Sequence, residues 1–294
     1  MTTTFRTSAG PGLRVHSFGP EDAGLTIFLA HCWTLSSVNW HYQVRDLMAE
    51  FGHRVRVVTW DHRGHGESDK PERAACTIEA LAADMAELVD ALAPSGPLLL
   101  AGHSIGGMTL MALAEQRPDL LDRVVGAAFV DTSSGGLDTV SLGIPEMGRT
   151  VRAQIPRMLA LRSRTLSHRA RRRAPIVERT VVRRFLFGSP MRLTDSALVV
   201  EGIINSPSAT MVGFYEDCMR HERTEALKAY DGIPTRVLVG GHDLLTPPSH
   251  ARRIADQVPG AELVLAPDAG HMLPLERDAL VSGTLVRLAR PHLR

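Results

Sequence analysis

Short apolar runs closed by Gly or Pro alternate along this chain with stretches whose apolar residues recur three and four apart. A period that switches back and forth in this way predicts strands joined by crossover helices, and so a mostly parallel sheet with helices on both faces, an α/β architecture. Strands are predicted at 13–18, 25–30, 55–60, 98–102, 124–130, 237–241 and 263–266, and helices at 37–50, 78–92, 105–117, 249–258 and 274–289. The alternation breaks once. Between 133 and 230 there is no convincing strand, only helical segments at 145–161, 175–187, 194–204 and 209–221. With 294 residues the chain is long enough for one large α/β domain carrying an insertion. The expected organisation is a core of residues 1–132 and 231–294 with a helical cap of residues 133–230 over the site.

One junction carries more than fold information. Gly102-His103-Ser104-Ile105-Gly106-Gly107 directly follows the apolar run 98–101 and opens a helical pattern. Gly-x-Ser-x-Gly at a strand-to-helix turn lifts the serine hydroxyl above the strand ends on a strained backbone, which demands small residues two positions away on either side. The positive end of the following helix then lies under any negative charge that develops there. A serine hydroxyl is a poor nucleophile until a base takes its proton, and the base needs an orienting carboxylate. On an elbow of this kind the carboxylate precedes the histidine in chain order. Asp243 follows the predicted strand 237–241, and His271 follows strand 263–266 through Pro267-Asp268-Ala269-Gly270. Asp131, just past strand 124–130, is an alternative acid, Asp268 is a rival carboxylate nearby, and Asp243 could instead be a turn or helix-cap residue. His242 adjoins the acid and is expected to point away from it. His103 is expected to pack beside the sheet, and His62, His65 and His250 to be structural or solvated.

Together with Ala30-His31-Cys32-Trp33 and Asp61-His62-Arg63-Gly64-His65-Gly66-Glu67-Ser68, these motifs span nearly the whole predicted core, and the chain resembles the α/β-hydrolase superfamily. The resemblance is to the capped branch that holds esterases, C–C hydrolases, cofactor-free haloperoxidases and epoxide hydrolases. It implies an oxyanion hole formed by the backbone N–H groups of Trp33 and Ile105. Cys32 departs from the pattern, since glycine is usual there, and a Cβ forbids conformations only glycine adopts. A serine at position 104 argues against the branches with an aspartate nucleophile. The Asp61–Ser68 segment reads as a structural turn, with Asp61 and Arg63 serving local hydrogen bonds.

The resemblance implies a serine hydrolase cleaving a carboxylic ester, a lactone or a related small acyl substrate, with no organic cofactor and no metal. A thioesterase acting on carrier- or coenzyme-A-bound acyl groups, a C–C hydrolase and a perhydrolase would use the same residues. A ligand-binding protein that keeps the fold but turns over little is the reading outside enzymes.

Charge bears on partners. The formal net charge is +1, which does not favour nucleic acid, yet residues 149–184 hold twelve arginines and one acid, Glu178. Such a run is a solvated helix face, a site for an anionic substrate, a docking face for an acidic carrier protein, or a contact for an anionic membrane surface. Three scattered cysteines form no disulfide or metal pattern, the polar start is no signal peptide, and no stretch is long enough to span a bilayer, so a cytoplasmic setting is expected. Leu142, Met147, Met158, Leu161, Met191, Met211, Phe214, Tyr215 and Met219 are the cap residues expected to pack on the core or to wall an acyl site.

Overall fold

The computed structural model describes residues 1–140, 154–159, 161, 172 and 174–293. Its centre is an eight-stranded sheet: β1 (Thr2–Arg6), β2 (Gly12–Phe18), β3 (Leu25–Ala30), β4 (Val55–Trp60), β5 (Leu98–His103), β6 (Val124–Val130), β7 (Thr235–Gly240) and β8 (Glu262–Ala266). The spatial order is β1-β2-β4-β3-β5-β6-β7-β8. β2 is antiparallel to β1 and to β4, and every later pairing is parallel. The seven strands expected from the apolar runs are present, with ends moved by one or two residues. β1 is the addition. It lies in the polar start, exposed and half-buried residues alternate along it, and its only neighbour is β2. An edge strand that buries little need not read as apolar.

Helices α1 (His41–Phe51), α2 (Ile78–Leu92) and α3 (Ile105–Gln116) cover the sheet, with helices Pro248–Gln257 and Asp278–Ala289 completing the two outer layers. Alternate residues of one strand enter opposite cores. Phe28 of β3 joins Trp60, Met85, Leu110 and Phe129 on one side. Ile27 and Leu29 join Trp40, Leu99 and Leu285 on the other. The single helix expected over 274–289 is broken at Arg277, whose φ of −132° and ψ of 50° separate Leu273–Glu276 from Asp278–Ala289.

Between β6 and β7 the described residues form helices Ile176–Val181 (continuing as a looser turn, Val182–Leu186), Leu193–Asn205 and Ser208–Arg220, and a tighter turn at Glu225–Tyr230. Of the helix expected over 145–161, residues 154–159 and 161 are helical and the rest lies outside the described residues, as do Leu142 and Met147. A third apolar cluster joins this segment to the loops above the sheet. Val182, Phe187, Val199 and Ile204 pack against Cys32, Leu35 and Met272. Backbone bonds add to it: His271 N–H donates to Leu186 C=O (2.8 Å) and Ser189 N–H to Asp268 C=O (2.9 Å). Among the described residues no single helix is long and apolar enough to cross a membrane.

Candidate active site

Ser104 sits between β5 and α3 with φ +55° and ψ −116°, one of three non-glycine residues with positive φ among those described. The glycines around it are required by contact. A Cβ on Gly102 would lie 2.4 Å from the Gly106 carbonyl carbon, and one on Gly106 would lie 2.2 Å from Ala30 O. The turn therefore closes only with glycine at both positions. Ser104 Oγ faces His271 Nε2 at 3.1 Å, and His271 Nδ1–H donates to Asp243 Oδ2 at 2.8 Å. In this tautomer Nε2 is an acceptor for the serine proton. Asp243 is fixed in turn: Oδ1 accepts Leu245 N–H (2.8 Å) and Thr246 N–H (2.9 Å), and Oδ2 accepts the Thr246 hydroxyl (2.7 Å).

The two candidate acids are separated by what they touch. Burial pushes the Asp243 carboxyl up, but the charge and hydrogen bond of His271 and the Thr246 bonds outweigh it and hold it below the usual carboxylate range. Asp131 is fully buried, and its carboxylate accepts the backbone N–H groups of Gly240 (2.9 Å) and Leu273 (3.0 Å). Burial, and then the charge of Asp243, push its carboxyl well above that range. The structure thus brings Ser104, His271 and Asp243 together and gives Asp131 a structural task, tying the end of β7 to the segment after His271.

The loop after β3 holds the other expected residues. Ile105 is the first residue of α3, directly after Ser104, and Trp33 lies in the loop after β3. Cys32 is not among the residues with positive φ. The left-handed residue is Thr34, at φ +64°. The substitution of cysteine for glycine is therefore accommodated without strain at position 32. Its thiol is buried, faces Asn39 Oδ1 at 3.7 Å, and is pushed by burial well above the ordinary thiol range, which makes it a packing group.

Residues 26–278 match the α/β hydrolase fold family. The chain belongs to the α/β-hydrolase family. An sn-1-specific diacylglycerol lipase of Mus musculus is 30% identical over 231 residues, 74% of this chain and 66% of the lipase, so the chain spans just under two thirds of that relative. A thermophilic esterase from Thermogutta terrifontis superposes with a TM-score of 0.77 at 26% identity, covering 100% of both chains. The enol-lactonase from Burkholderia xenovorans LB400 shares the fold with a TM-score of 0.78 at 22% identity, covering 98% of this chain and 100% of the lactonase.

Further groups shape this hydrolase's site, and the first of them, Glu276, belongs to no motif. Glu276 is buried, and its carboxylate accepts N–H groups from Gly270 (2.9 Å), Met272 (3.0 Å) and Gly188 (2.6 Å), clamping both neighbours of His271 and a residue of the insertion. That inward turn accompanies the break at Arg277. His103 is buried, held neutral by burial with its pKa near 3, and its Nε2–H donates to His271 C=O at 2.7 Å. His31, His62 and His65 cluster together, with the His31 and His62 rings tilted 4.1 Å apart and the His65 ring edge-on to His31 at 5.3 Å. Burial pushes all three down, and His31 Nε2 accepts His62 N–H at 2.8 Å. His242 is exposed, and His250 Nδ1 contacts Ser133 Oγ at 2.7 Å. Asp61 accepts the N–H groups of Ser37 and Glu67 (both 2.8 Å), while Arg63 reaches further than its own turn, to a buried bidentate pair with Asp84 on α2 (2.7 and 2.5 Å). Of the apolar residues expected to pack or to wall a site, Met211 and Phe214 are buried, Tyr215 lies 6.3 Å from the Trp33 ring, and Met191 and Met219 pack at the edges of the apolar clusters. Met158 and Leu161 are exposed.

Proposed function

We propose that this protein is a serine hydrolase that cleaves a carboxylic ester or lactone through an acyl-enzyme. The observation that carries the reading is the continuous line Ser104 Oγ–His271 Nε2 (3.1 Å) and His271 Nδ1–Asp243 Oδ2 (2.8 Å) at the tip of a strained elbow. As Ser104 Oγ attacks the carbonyl carbon, its proton passes to His271 Nε2, and the ionised Asp243 stabilises the imidazolium so formed. The carbonyl oxygen gains negative charge between the N–H groups of Trp33 and Ile105. Each such donor typically contributes about 10²–10³ in rate. The imidazolium then returns its proton to the leaving alkoxide, and water, activated by the same histidine, releases the acid. In this reading residues 133–230 form the cap, whose inner residues Val182, Phe187 and Val199 supply an apolar wall for the acyl group. The resemblance to esterases and to a diacylglycerol lipase supports an acyl ester as the substrate class.

Ser104→Ala is expected to abolish turnover of p-nitrophenyl esters and labelling by a fluorophosphonate probe while leaving thermal unfolding unchanged. Ester turnover within tenfold of the parent, or probe attachment elsewhere, would remove Ser104 from the mechanism.

A further inference from the structure

We propose that the outer face of segment 176–186 docks on an anionic lipid bilayer. Ile176 is 72% exposed, Val177 65%, Val181 39%, and Leu193, which opens the next helix, 79%. Among the described residues, four large aliphatic side chains are thus left to solvent along this stretch. Arg179, Arg183 and Arg184 are exposed on the same segment, and none has a carboxylate within ion-pair reach among the described residues. Other described arginines of the chain do hold carboxylates. Arg117 pairs with Asp90 and Asp119, Arg223 with Glu79 and Glu115, and Arg253 with Glu222.

Arg184 lies over the Phe185 ring at 5.4 Å, and among the described residues its charge is left uncompensated like the other two. Aliphatic residues beside arginines without a carboxylate partner fit the boundary between acyl chains and anionic headgroups, where the apolar side chains leave water and the guanidinium groups meet phosphate. A protein partner fits less well. A stable protein interface engages roughly 20–30 residues a side, more than this segment offers, whereas a fluid surface needs only area and charge. The opposite face of the same segment looks inward: Val182 and Phe187 pack against Cys32 and Met272, which flank Trp33 and His271 in sequence. Docking would thus set the roof of the candidate site against the membrane. The docking itself stands whether or not Ser104 acts on esters.

For that reason the test uses the Ser104→Ala chain, co-sedimented with phosphatidylcholine vesicles with and without phosphatidylglycerol, at low and high salt. Binding is expected only with phosphatidylglycerol and to be lost at high salt. Each arginine near an anionic surface contributes about fivefold, so Arg179→Gln/Arg183→Gln/Arg184→Gln is expected to lower partitioning by about 10²-fold. Ile176→Ser/Val177→Ser is expected to lower it by about tenfold or more. Both variants should melt with the parent, because they alter exposed side chains. Three results would overturn the proposal: no vesicle binding, equal binding to neutral and anionic vesicles, or a parent that self-associates through this face and is made monomeric by Ile176→Ser/Val177→Ser.

Discussion

Asp243 and Asp131 both follow strands and both end near His271, so replacing each by its amide separates a catalytic carboxylate from a structural one. In Asp243→Asn the oxygen accepting from Leu245 and Thr246 can stay in place, since those two N–H groups converge on one atom, Oδ1. The amide nitrogen then replaces Oδ2 and presents a donor to His271 Nδ1. The imidazole must accept there, its proton moves to Nε2, and Nε2 can no longer take the Ser104 proton. The wrong tautomer costs on the order of 10⁴ in kcat, about 5 kcal/mol of barrier, with the fold intact. In Asp131→Asn the damage is of another kind. Its two oxygens each hold one buried backbone N–H, Gly240 on Oδ1 and Leu273 on Oδ2, and an amide can accept only one of them. The other is left facing a donor, which costs about 1–3 kcal/mol of stability and, through small movements of the His271 segment, about tenfold or less in kcat. The assay is initial-rate hydrolysis of a p-nitrophenyl ester beside thermal unfolding of each variant. If Asp131→Asn lost 10⁴ in kcat at unchanged stability while Asp243→Asn kept its rate, the assignment of the acid would be refuted.

Cys32→Gly is expected to destabilise by about 1–2 kcal/mol and to change kcat less than threefold, because position 32 does not use the left-handed region and glycine adds only disorder to the unfolded chain. A tenfold gain in rate would show that the thiol had been distorting the oxyanion loop. Stability is expected to fall as pH drops below about 6.5. His65 and His221 have folded pKa values near 4 and His103 near 3, all lowered first by burial, so the unfolded chain binds protons that the folded chain refuses, at a cost on the order of 2 kcal/mol each at pH 5. Asp84, Asp131 and Glu276, whose carboxyls burial raises, act in the opposite direction, but His31 and His62 add to the histidine side. Thermal melts at pH 7 and pH 5 with equal midpoints would contradict this balance.

The sheet was readable because β3 to β6 are buried along nearly their whole length and so appear as mostly apolar runs, broken only by Thr26, Arg56 and Thr59 before the polar end of β5. β1 was not, since an edge strand with one partner needs no such run. Ser104 was readable because the steric demand of the elbow is written as glycines at fixed offsets. The strain in the loop after β3 was misplaced for the complementary reason. Cys32 drew attention as a missing glycine, while the left-handed conformation is carried by Thr34, a residue whose type gives no sign of it. The choice between Asp243 and Asp131 was open, because the distance to His271 depends on where two crossovers return the chain.

Three buried acids around the strand ends share one physical form, and of these Glu276 alone had no reading in the sequence. Asp61, Asp131 and Glu276 are buried carboxylates that accept backbone N–H groups from loops distant from one another: Ser37 and Glu67, Gly240 and Leu273, and Gly188, Gly270 and Met272. A carboxylate with two oxygens can terminate several loop ends at once, which a neutral side chain does less well, and burial strengthens each of those bonds. Asp243 does the same for Leu245 and Thr246, but among the four it alone also accepts a ring N–H within 3 Å. The candidate acid is thus one member of a set of loop clamps around the strand ends, set apart by a single histidine contact. Loss of Glu276 should accordingly be felt at His271 as displacement rather than as a change of tautomer, and the two effects differ in their pH profiles.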